Sequence, residues 1–243
     1  MATDLGGRIA LVTGASGGIG SDLAVRLAAA GCDVAVHFST HEDAARRVAE
    51  RIEAHGRRAV VLRADLSDRA AVETLADDVE RALGSVDVLV PNAGIDLPVQ
   101  YVAEVDPDDW DRTIAVNLTA PFLLARRTVP GMAERGFGRV LFVSSVAAFT
   151  GGRVGPHYAA SKSGLHGMLQ WLAKRTAGRG VTVNAVAPAL VASGMVAENA
   201  DPAAVPVGRI GRPEEVGELA MAMLTNAYVT GKVFLADGGI HPY

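Results

Sequence analysis

The stretch Thr13-Gly14-Ala15-Ser16-Gly17-Gly18-Ile19-Gly20 decides the fold, because it follows an apolar run at Ile9–Thr13 and precedes a helical pattern that starts near Ser21. Glycines let a backbone turn tightly and approach a pyrophosphate closely, and amides at the start of the next helix can then bind it. A glycine cluster alone also fits an ordinary turn between a strand and a helix. Its position between strand and helix favours the dinucleotide-binding turn.

Short apolar runs alternate with helical patterns along the whole chain. The runs lie at Ile9–Thr13, Val34–Phe38, Ala59–Arg63, Val86–Val90, Val140–Ser144, Val181–Val186 and Val233–Leu235. Most are continuous rather than alternating, which is typical of strands buried on both faces of a parallel sheet. The pattern predicts an α/β protein with a Rossmann-type, doubly wound parallel sheet of about seven strands and helices on both faces.

No linker, repeat or break in composition divides the chain, so residues 1–243 are predicted to form one dinucleotide-binding and catalytic domain. Two segments lack regular periodicity, Gly151–Pro156 and Ala189–Gly211, and each follows a predicted strand. Because ligands of doubly wound sheets bind at the carboxyl ends of the strands, both segments are expected at the active site. The second, about 189–211, is the expected substrate loop.

Composition narrows the range of partners. A net charge of -4 and a pI near 5.9 give no reason to expect nucleic acid. The lone Cys32 excludes an internal disulfide, and the six His show no metal-ligand spacing, so no metal site is predicted. The N-terminus lacks a secretory pattern and no apolar run is long enough to cross a membrane. A cytoplasmic protein with no membrane association is expected.

Several further motifs carry a resemblance to a known family. They are the spacing Gly14-x-x-x-Gly18-x-Gly20, Asp65-Leu66, Asn92-Ala93-Gly94, Asn184-Ala185-Val186-Ala187-Pro188-Ala189 and the ending from Thr230 to Gly239. In this order they resemble the short-chain dehydrogenase/reductase family from about Arg8 to Gly239. Three positions depart from the family pattern: Pro91 replaces an Asn, Ala189 replaces a Gly and Ser193 stands where a Thr is common. Taken alone, Asp65 could be a helix N-cap and Asn92-Ala93-Gly94 a plain turn.

Tyr158 and Lys162 lie four residues apart in Tyr158-Ala159-Ala160-Ser161-Lys162, so a helix would place them on one face. A free phenol titrates near pH 10, and a neighbouring ammonium favours its ionised form. The family resemblance implies that Tyr158 is the proton donor, that Ser145 polarises the substrate carbonyl and that Asn117 supports a water leading to Lys162. Ser144 competes with Ser145, and the family spacing favours Ser145. The expected catalytic tetrad is Asn117, Ser145, Tyr158 and Lys162.

The resemblance also implies a set of cofactor-binding residues. They are Gly14, Ser16, Gly18, Ile19, Gly20, Ser39, Asp65, Leu66, Asn92, Ala93, Gly94, Tyr158, Lys162, Pro188, Val191 and Ser193. An NAD enzyme usually carries an acid at the end of its second strand, where this chain has Phe38-Ser39-Thr40. NADP(H) is therefore favoured over NAD(H), although Gly17 and Ser39 occupy the places where a phosphate-pairing Arg or Lys is usual.

Within the family, the likeness is strongest to β-ketoacyl-acyl-carrier-protein reductases, which implies reduction of a 3-oxoacyl thioester. Arg179 matches an arginine that docks the carrier protein there, whereas the second docking position falls at Gly136, beside Arg135. A reductase of free sugars, polyols, steroids or other small ketones is the alternative, and a non-catalytic cofactor-binding regulator is another. Excess apolar residues on the helices near Asp108–Ala133 and Tyr158–Ala177 predict burial on more than one side, and the family resemblance implies that these helices form an interface within a homotetramer.

Overall fold

A computed structural model describes residues 3–193 and 201–241. Its core is one sheet in which seven strands all run parallel. The strands are β1 (Ile9–Val12), β2 (Asp33–Phe38), β3 (Ala59–Arg63), β4 (Val88–Val90), β5 (Gly138–Val143), β6 (Val181–Pro188) and β7 (Val233–Ala236). Their order, β3-β2-β1-β4-β5-β6-β7, reverses direction between β1 and β4. The loops that leave these two strands therefore open a crevice at their carboxyl ends.

Eight α-helices within the described residues connect the strands. They are α1 (Gly18–Ala29), α2 (Glu42–Glu53), α3 (Arg69–Ala82), α4 (Pro107–Ile114), α5 (Ala120–Glu134), α6 (Ala147–Thr150), α7 (Pro156–Thr176) and α8 (Pro213–Leu224). The expected doubly wound architecture is confirmed, since helices cover the sheet on both sides. Within the described ranges, no helix is both long and apolar enough to cross a membrane.

Two hydrophobic clusters, one on each side of the sheet, hold the helices in place. In the first, Leu23 of α1, Ile52 of α2 and Val216 of α8 pack together. In the second, Leu75 of α3 and Leu165 of α7 lie among residues of the other sheet face. Every residue of β2, β5 and β6 is buried, which explains why most residues of these strands are apolar on both faces of the sheet.

The helix expected near Asp108–Ala133 is divided in the structure. Its first part, α4, passes into a π-helical turn at Ala115–Thr119 before α5 begins. A π-turn widens the backbone ladder and often marks a functional position, and sequence periodicity does not distinguish it from an α-helix. Ala189, which stands where the family has a Gly, does not adopt a positive φ, because every described residue with positive φ is a glycine.

Candidate active site

The glycine turn after β1 brings its backbone against the loop after β4. Gly14 and Gly18 adopt positive φ angles of 63° and 53°, which favour glycine. A Cβ on Gly14 would lie 2.9 Å from the Cα of Ala93, and one on Gly18 would lie 2.9 Å from the carbonyl oxygen of Ser193. Ser16 is partly exposed in the turn, while Ile19 is buried. The positions of Gly14 and Gly18 thus reflect two close backbone approaches.

Asn92 ties the two loops together. Its Nδ2 donates hydrogen bonds to the carbonyls of Thr13 (2.9 Å) and Gly14 (3.1 Å). In return, Thr13 Oγ1 accepts hydrogen bonds of 3.0 Å from the amides of Asn92 and Ala93. A Cβ on Gly20 would collide with both the Asn92 amide and the Gly14 carbonyl. A bare backbone cradle at the start of a helix fits a pyrophosphate, so the residues present fit a dinucleotide.

His37 supports this cradle from beneath, a role that the sequence analysis missed. The amide of Gly14 donates to its Nδ1 (3.1 Å), so Nε2 carries the hydrogen and donates to the carbonyl of Ala64 (3.2 Å). Burial lowers the pKa of His37 to about 4, and the bond to Ala64 only partly opposes this shift. A neutral imidazole therefore couples the glycine turn to the end of β3.

The edge of the crevice beyond β2 carries Ser39, Arg63 and Asp65. The Arg63 guanidinium Nε donates to the carbonyl of Ser39 (3.2 Å), because Arg63 pairs with Phe38 in the sheet register. Asp65 Oδ1 accepts hydrogen bonds from the amide (2.9 Å) and hydroxyl (2.7 Å) of Ser67, and these bonds lower the pKa of its carboxyl. Asp65 is not a helix N-cap, since Asp68 caps α3.

This edge holds a basic residue that sequence reasoning overlooked. Pairing of β2 with β3 brings Arg63 to Ser39 although 24 positions separate them. The signal in the sequence was an arginine at the carboxyl end of the strand next to β2. Leu66, just beyond, is buried and forms part of the core on that side.

Tyr158 and Lys162 lie on one face of α7, and the Lys162 Nζ is 5.6 Å from the centre of the Tyr158 ring. Both are buried, with 9% and 3% of their surfaces exposed. Burial raises the pKa of the Tyr158 phenol to about 12, the Ser145 side chain opposes the shift and Asp96 adds to it. Burial lowers the pKa of Lys162 to about 8, while the charge of Asp96 raises it. Lys162 also donates to the carbonyl of Val143 (2.9 Å).

Of the two candidate serines, the structure places Ser145 beside Tyr158. The Ser145 hydroxyl accepts a hydrogen bond from the amide of Ala147 (3.1 Å) and remains partly exposed. Ser144 is buried, and its hydroxyl lies 2.8 Å from His166 Nε2. Ser144 is therefore a structural contact of α7, and Ser145 is the hydroxyl that a substrate can reach.

Asn117 occupies the π-turn and clamps the loop after β4. Its Oδ1 accepts from the amide of Ile95 and its Nδ2 donates to the carbonyl of Ile95, both at 2.9 Å. The same Nδ2 donates to Ser161 Oγ on α7 (3.2 Å). Gly94, which precedes Ile95, leaves room for Lys162, since a Cβ there would lie 3.3 Å from Nζ. Asn117 thus joins three elements around the Tyr158–Lys162 pair.

The clamped loop places a carboxylate beside this pair. Asp96 follows Ile95 directly and is partly buried; burial raises the pKa of its carboxyl, and nearby Lys162 opposes that shift. Sequence analysis did not single out Asp96, because the family motif ends at Gly94. Its charge acts on the pKa values of both Tyr158 and Lys162.

The segment after β6 reaches back to the glycine turn. Pro188 ends β6, Val191 is buried and pairs with Gly211 in an isolated bridge, and Ser193 lies against Gly18. Of the expected substrate loop at about 189–211, residues 194–200 lie outside the described residues. Every expected cofactor-binding and catalytic residue lies within the described residues, and their roles in binding and catalysis stay predictions.

The two arginines considered for carrier docking lie elsewhere. Arg179 ends a short 3₁₀ helix, Ala177–Arg179, and is exposed. Arg135 is held against the body of the protein, because its Nη2 donates to the carbonyl of Val86 (2.8 Å) and to Asp87 Oδ1 (3.2 Å). Only Arg179 of these two presents its guanidinium freely to solvent.

The chain is similar to known proteins over nearly its whole length. The family described as short chain dehydrogenase matches residues 8–204. The chain is 37% identical to a 3-oxoacyl-[acyl-carrier-protein] reductase of Synechocystis sp., with 98% of each chain covered. It is 36% identical to an acetoacetyl-CoA reductase of Cupriavidus necator, covering 96% of this chain and 98% of the relative. A blue fluorescent protein from a metagenomic library, solved in complex with NADPH, is 36% identical with a TM-score of 0.91 and coverages of 98% and 99%.

Proposed function

The chain belongs to the short-chain dehydrogenase family and is an oxidoreductase, and we propose that it uses NADP(H) to reduce the ketone of a 3-oxoacyl thioester. The observation that carries this proposal is the buried Tyr158–Lys162 pair, with Ser145 beside it, at the mouth of a glycine-built dinucleotide cradle. The names of the relatives support the substrate class. The whole chain, residues 1–243, acts in this proposal as one cytoplasmic cofactor-binding and catalytic unit.

In the proposed reduction, the Tyr158 hydroxyl donates its proton to the carbonyl oxygen of the substrate. The Ser145 hydroxyl donates a hydrogen bond to the same oxygen and polarises the carbonyl. The chemistry that a bound nicotinamide cofactor supplies is a hydride for the carbonyl carbon. One hydride and one proton together convert the ketone to an alcohol. Because the pKa of Tyr158 is about 12, the phenol holds its proton at neutral pH until a substrate accepts it.

Lys162 and Asn117 support that proton transfer from behind. With a pKa of about 8, Lys162 is mostly protonated at neutral pH, and its positive charge favours the phenolate left after transfer. Two of its three N–H groups remain for the cofactor ribose, since one donates to Val143. The side-chain amide of Asn117 is hydrogen-bonded to Ile95 and Ser161. Asn117 therefore positions the loop after β4 against α7. The relay water near Lys162 stays a prediction.

The proposed preference for NADP(H) rests on the charges at the end of β2. Asp33, the acid of that strand, lies at its opposite end and pairs with Arg57 (2.6 Å) and Arg58 (2.7 Å). Ser39 can donate to a ribose 2′-phosphate, and the Arg63 guanidinium beside it adds positive charge. Arg63→Gln should lower the affinity ratio of NADP⁺ to NAD⁺ about tenfold by calorimetry, the loss of one charge-assisted contact. An unchanged ratio would remove Arg63 from the phosphate site.

Substrate assays test the reaction itself. Purified protein should oxidise NADPH with acetoacetyl thioesters faster than with sugars, polyols or steroid ketones. Faster reduction of a free ketone would favour the alternative substrate class, and no turnover with any ketone would favour a cofactor-binding regulator. For carrier docking, Arg179→Glu should weaken turnover of a carrier-linked thioester and leave a coenzyme A thioester unaffected, because only the acidic carrier needs that surface.

The proposed homotetramer follows from apolar side chains that α5 and α7 leave uncovered. Phe122 on α5 is 48% exposed and Trp171 on α7 is 57% exposed, whereas Leu124 and Leu169 on the same helices are buried. Large aromatic groups in solvent on two helices favour burial against a second copy. Light scattering at micromolar concentration should give about four times the 25.2 kDa chain mass. A fully active monomer would contradict the proposed assembly.

A further inference from the structure

A cavity of about 660 Å³ opens beside the start of the helix that carries Tyr158. Pro156, the first residue of α7, forms part of its wall two positions before Tyr158. The facing wall consists of residues 99–102 from the loop after β4, and residues 151–153 complete it. Since Pro156 and Tyr158 are two residues apart on α7, the cavity wall begins close to the phenol.

The loop that carries Arg153 packs closely against its neighbours, which restrains the backbone on either side of Arg153. Gly152 and Gly155 adopt φ angles of 64° and 125°, which side chains rarely adopt. A Cβ on Gly152 would lie 2.8 Å from Ala147 Cβ, and one on Gly155 would lie 3.0 Å from Val99 Cγ2. The turn therefore rests on α6 on one side and on the loop after β4 on the other.

Arg153 is the charged side chain of the cavity wall. In the described part of the chain, no carboxylate lies within 4.0 Å of its guanidinium. Glu104, near the facing wall, accepts hydrogen bonds from the amides of Gln100 (2.8 Å) and Tyr101 (3.1 Å). Tyr101 and Val102 are 73% and 79% exposed. The wall thus combines one cation with uncovered apolar surface.

We propose that this cavity binds an anionic group of the substrate, carried at a distance from the reacting ketone and paired with Arg153. A guanidinium binds phosphate and carboxylate through charge-assisted hydrogen bonds, and Tyr101 offers contact area to the intervening part of the substrate. The inference rests on the proposed function, because it takes Tyr158 as the reaction centre. The anion has two possible sources, the phosphates of a coenzyme A or pantetheine arm and the carboxylate of a free keto acid.

Two matched substrate pairs distinguish these sources. Acetoacetyl-CoA is compared with S-acetoacetyl-N-acetylcysteamine, which lacks the phosphates, and acetoacetate is compared with its methyl ester. For each pair, the kcat/KM of the charged substrate is divided by that of the neutral substrate. Arg153→Gln should lower this ratio about tenfold for one of the two pairs, because the KM of the charged substrate rises. The pair that responds identifies the anion. Arg153→Lys should retain most of the ratio, because it keeps the charge.

Arg81→Gln provides the matched control, since Arg81 is an exposed arginine on α3, paired with Asp78 and absent from the cavity wall. Its charged-to-neutral ratios should equal those of the unmodified protein. Unchanged ratios for both pairs in Arg153→Gln would overturn the inference while leaving ketone reduction intact.

A binding measurement separates this inference from the proposed reaction. In the Tyr158→Phe protein with NADP⁺ bound, calorimetry can measure the affinity for acetoacetyl-CoA and for acetoacetate without turnover. Adding Arg153→Gln to Tyr158→Phe should weaken the affinity for one of these two ligands about tenfold. If both affinities are the same with and without Arg153→Gln, the anion site is refuted. If the unmodified protein reduces no ketone, the proposed function fails, and this measurement still decides whether Arg153 binds an anion.

Discussion

The two sides of the crevice are built from different parts of the chain. On the cofactor side, the turn after β1 uses backbone at close range; Thr13 and Asn92 hydrogen-bond each other, and His37 accepts a hydrogen bond from the amide of Gly14. On the substrate side, side chains such as Asp96 and Arg153 project from loops with few partners. A site made of backbone tolerates no added atom, whereas a site made of loop side chains can change its charge without disturbing the sheet. We therefore expect the backbone side to be shared across the family and the side-chain side to set the choice of substrate.

Tyr158, where the two sides meet, gives the largest expected effect. Tyr158→Phe should lower turnover about 10³-fold, because it removes the transferable proton and little else. The affinity for NADPH, measured by fluorescence titration, should stay within about twofold. Tyr228→Phe is the matched control, since Tyr228 is 98% exposed and outside the crevice. Retention of most activity in Tyr158→Phe would show that another group donates the proton.

Gly20 and Gly17 test whether the cofactor side depends on close backbone contact. Gly20→Ala should abolish measurable dinucleotide binding and destabilise the fold by about 1–3 kcal/mol, because its methyl group would overlap Asn92 and Gly14. Gly17→Ala should bind normally, since Gly17 has an extended φ of -168° and no atom within 4 Å of a Cβ. Calorimetry and thermal unfolding measure both. Equal behaviour of the two variants would argue against a cradle defined by sterics.

Ser39 tests the electrostatic part of the same side. Ser39→Asp should lower the ratio of kcat/KM for NADPH to kcat/KM for NADH about 10–100-fold, so that NADH becomes the preferred cofactor. The new carboxylate would repel a 2′-phosphate and accept hydrogen bonds from a ribose diol. Ser39→Asn, which adds no charge, should keep the preference for NADPH. Ser39 is suited to this change because it is exposed, whereas Phe38 before it is buried. Better use of NADH by the unmodified protein would contradict the proposed cofactor.

The smallest expected effect concerns pH and His37. The pKa of His37 is about 4 in the folded protein and 6.5 for an ordinary histidine. Between pH 4 and pH 6.5, His37 is therefore protonated in the unfolded chain and neutral in the folded chain. The free energy of unfolding should therefore fall as the pH drops from 6.5 towards 4, by up to about 1.4 kcal/mol per unit from this group. His37→Gln should show a shallower slope in urea titrations at several pH values. An identical slope would mean that His37 titrates normally.

Much of this site was predictable because its motifs are local. The glycine spacing, the Tyr158–Lys162 pair and the position of Ser145 each depend on a few neighbouring residues whose backbone state the sequence indicates. The π-turn at Asn117 was not predictable, since its apolar periodicity matches that of a helix on either side. Arg63 was missed because its partner Ser39 follows a different strand, and Asp96 was missed because it lies beyond the family motif and its charged neighbour Lys162 is far away in sequence, on α7.

By itself, the sequence determined that the sheet is parallel, in which order strands and helices follow along the chain, where the dinucleotide turn lies and to which family the chain belongs. These depend on residue type and spacing along the chain, through strand burial, helix periodicity and the conformational freedom of glycine. Only the tertiary structure decided that His37 is neutral, that the Asn117 amide is hydrogen-bonded to Ile95, that Asp96 lies near Tyr158 and Lys162, and that Arg153 lines a cavity beside the start of α7. Charge, burial and hydrogen bonding depend on distances through space, and packing of strands and loops sets those distances.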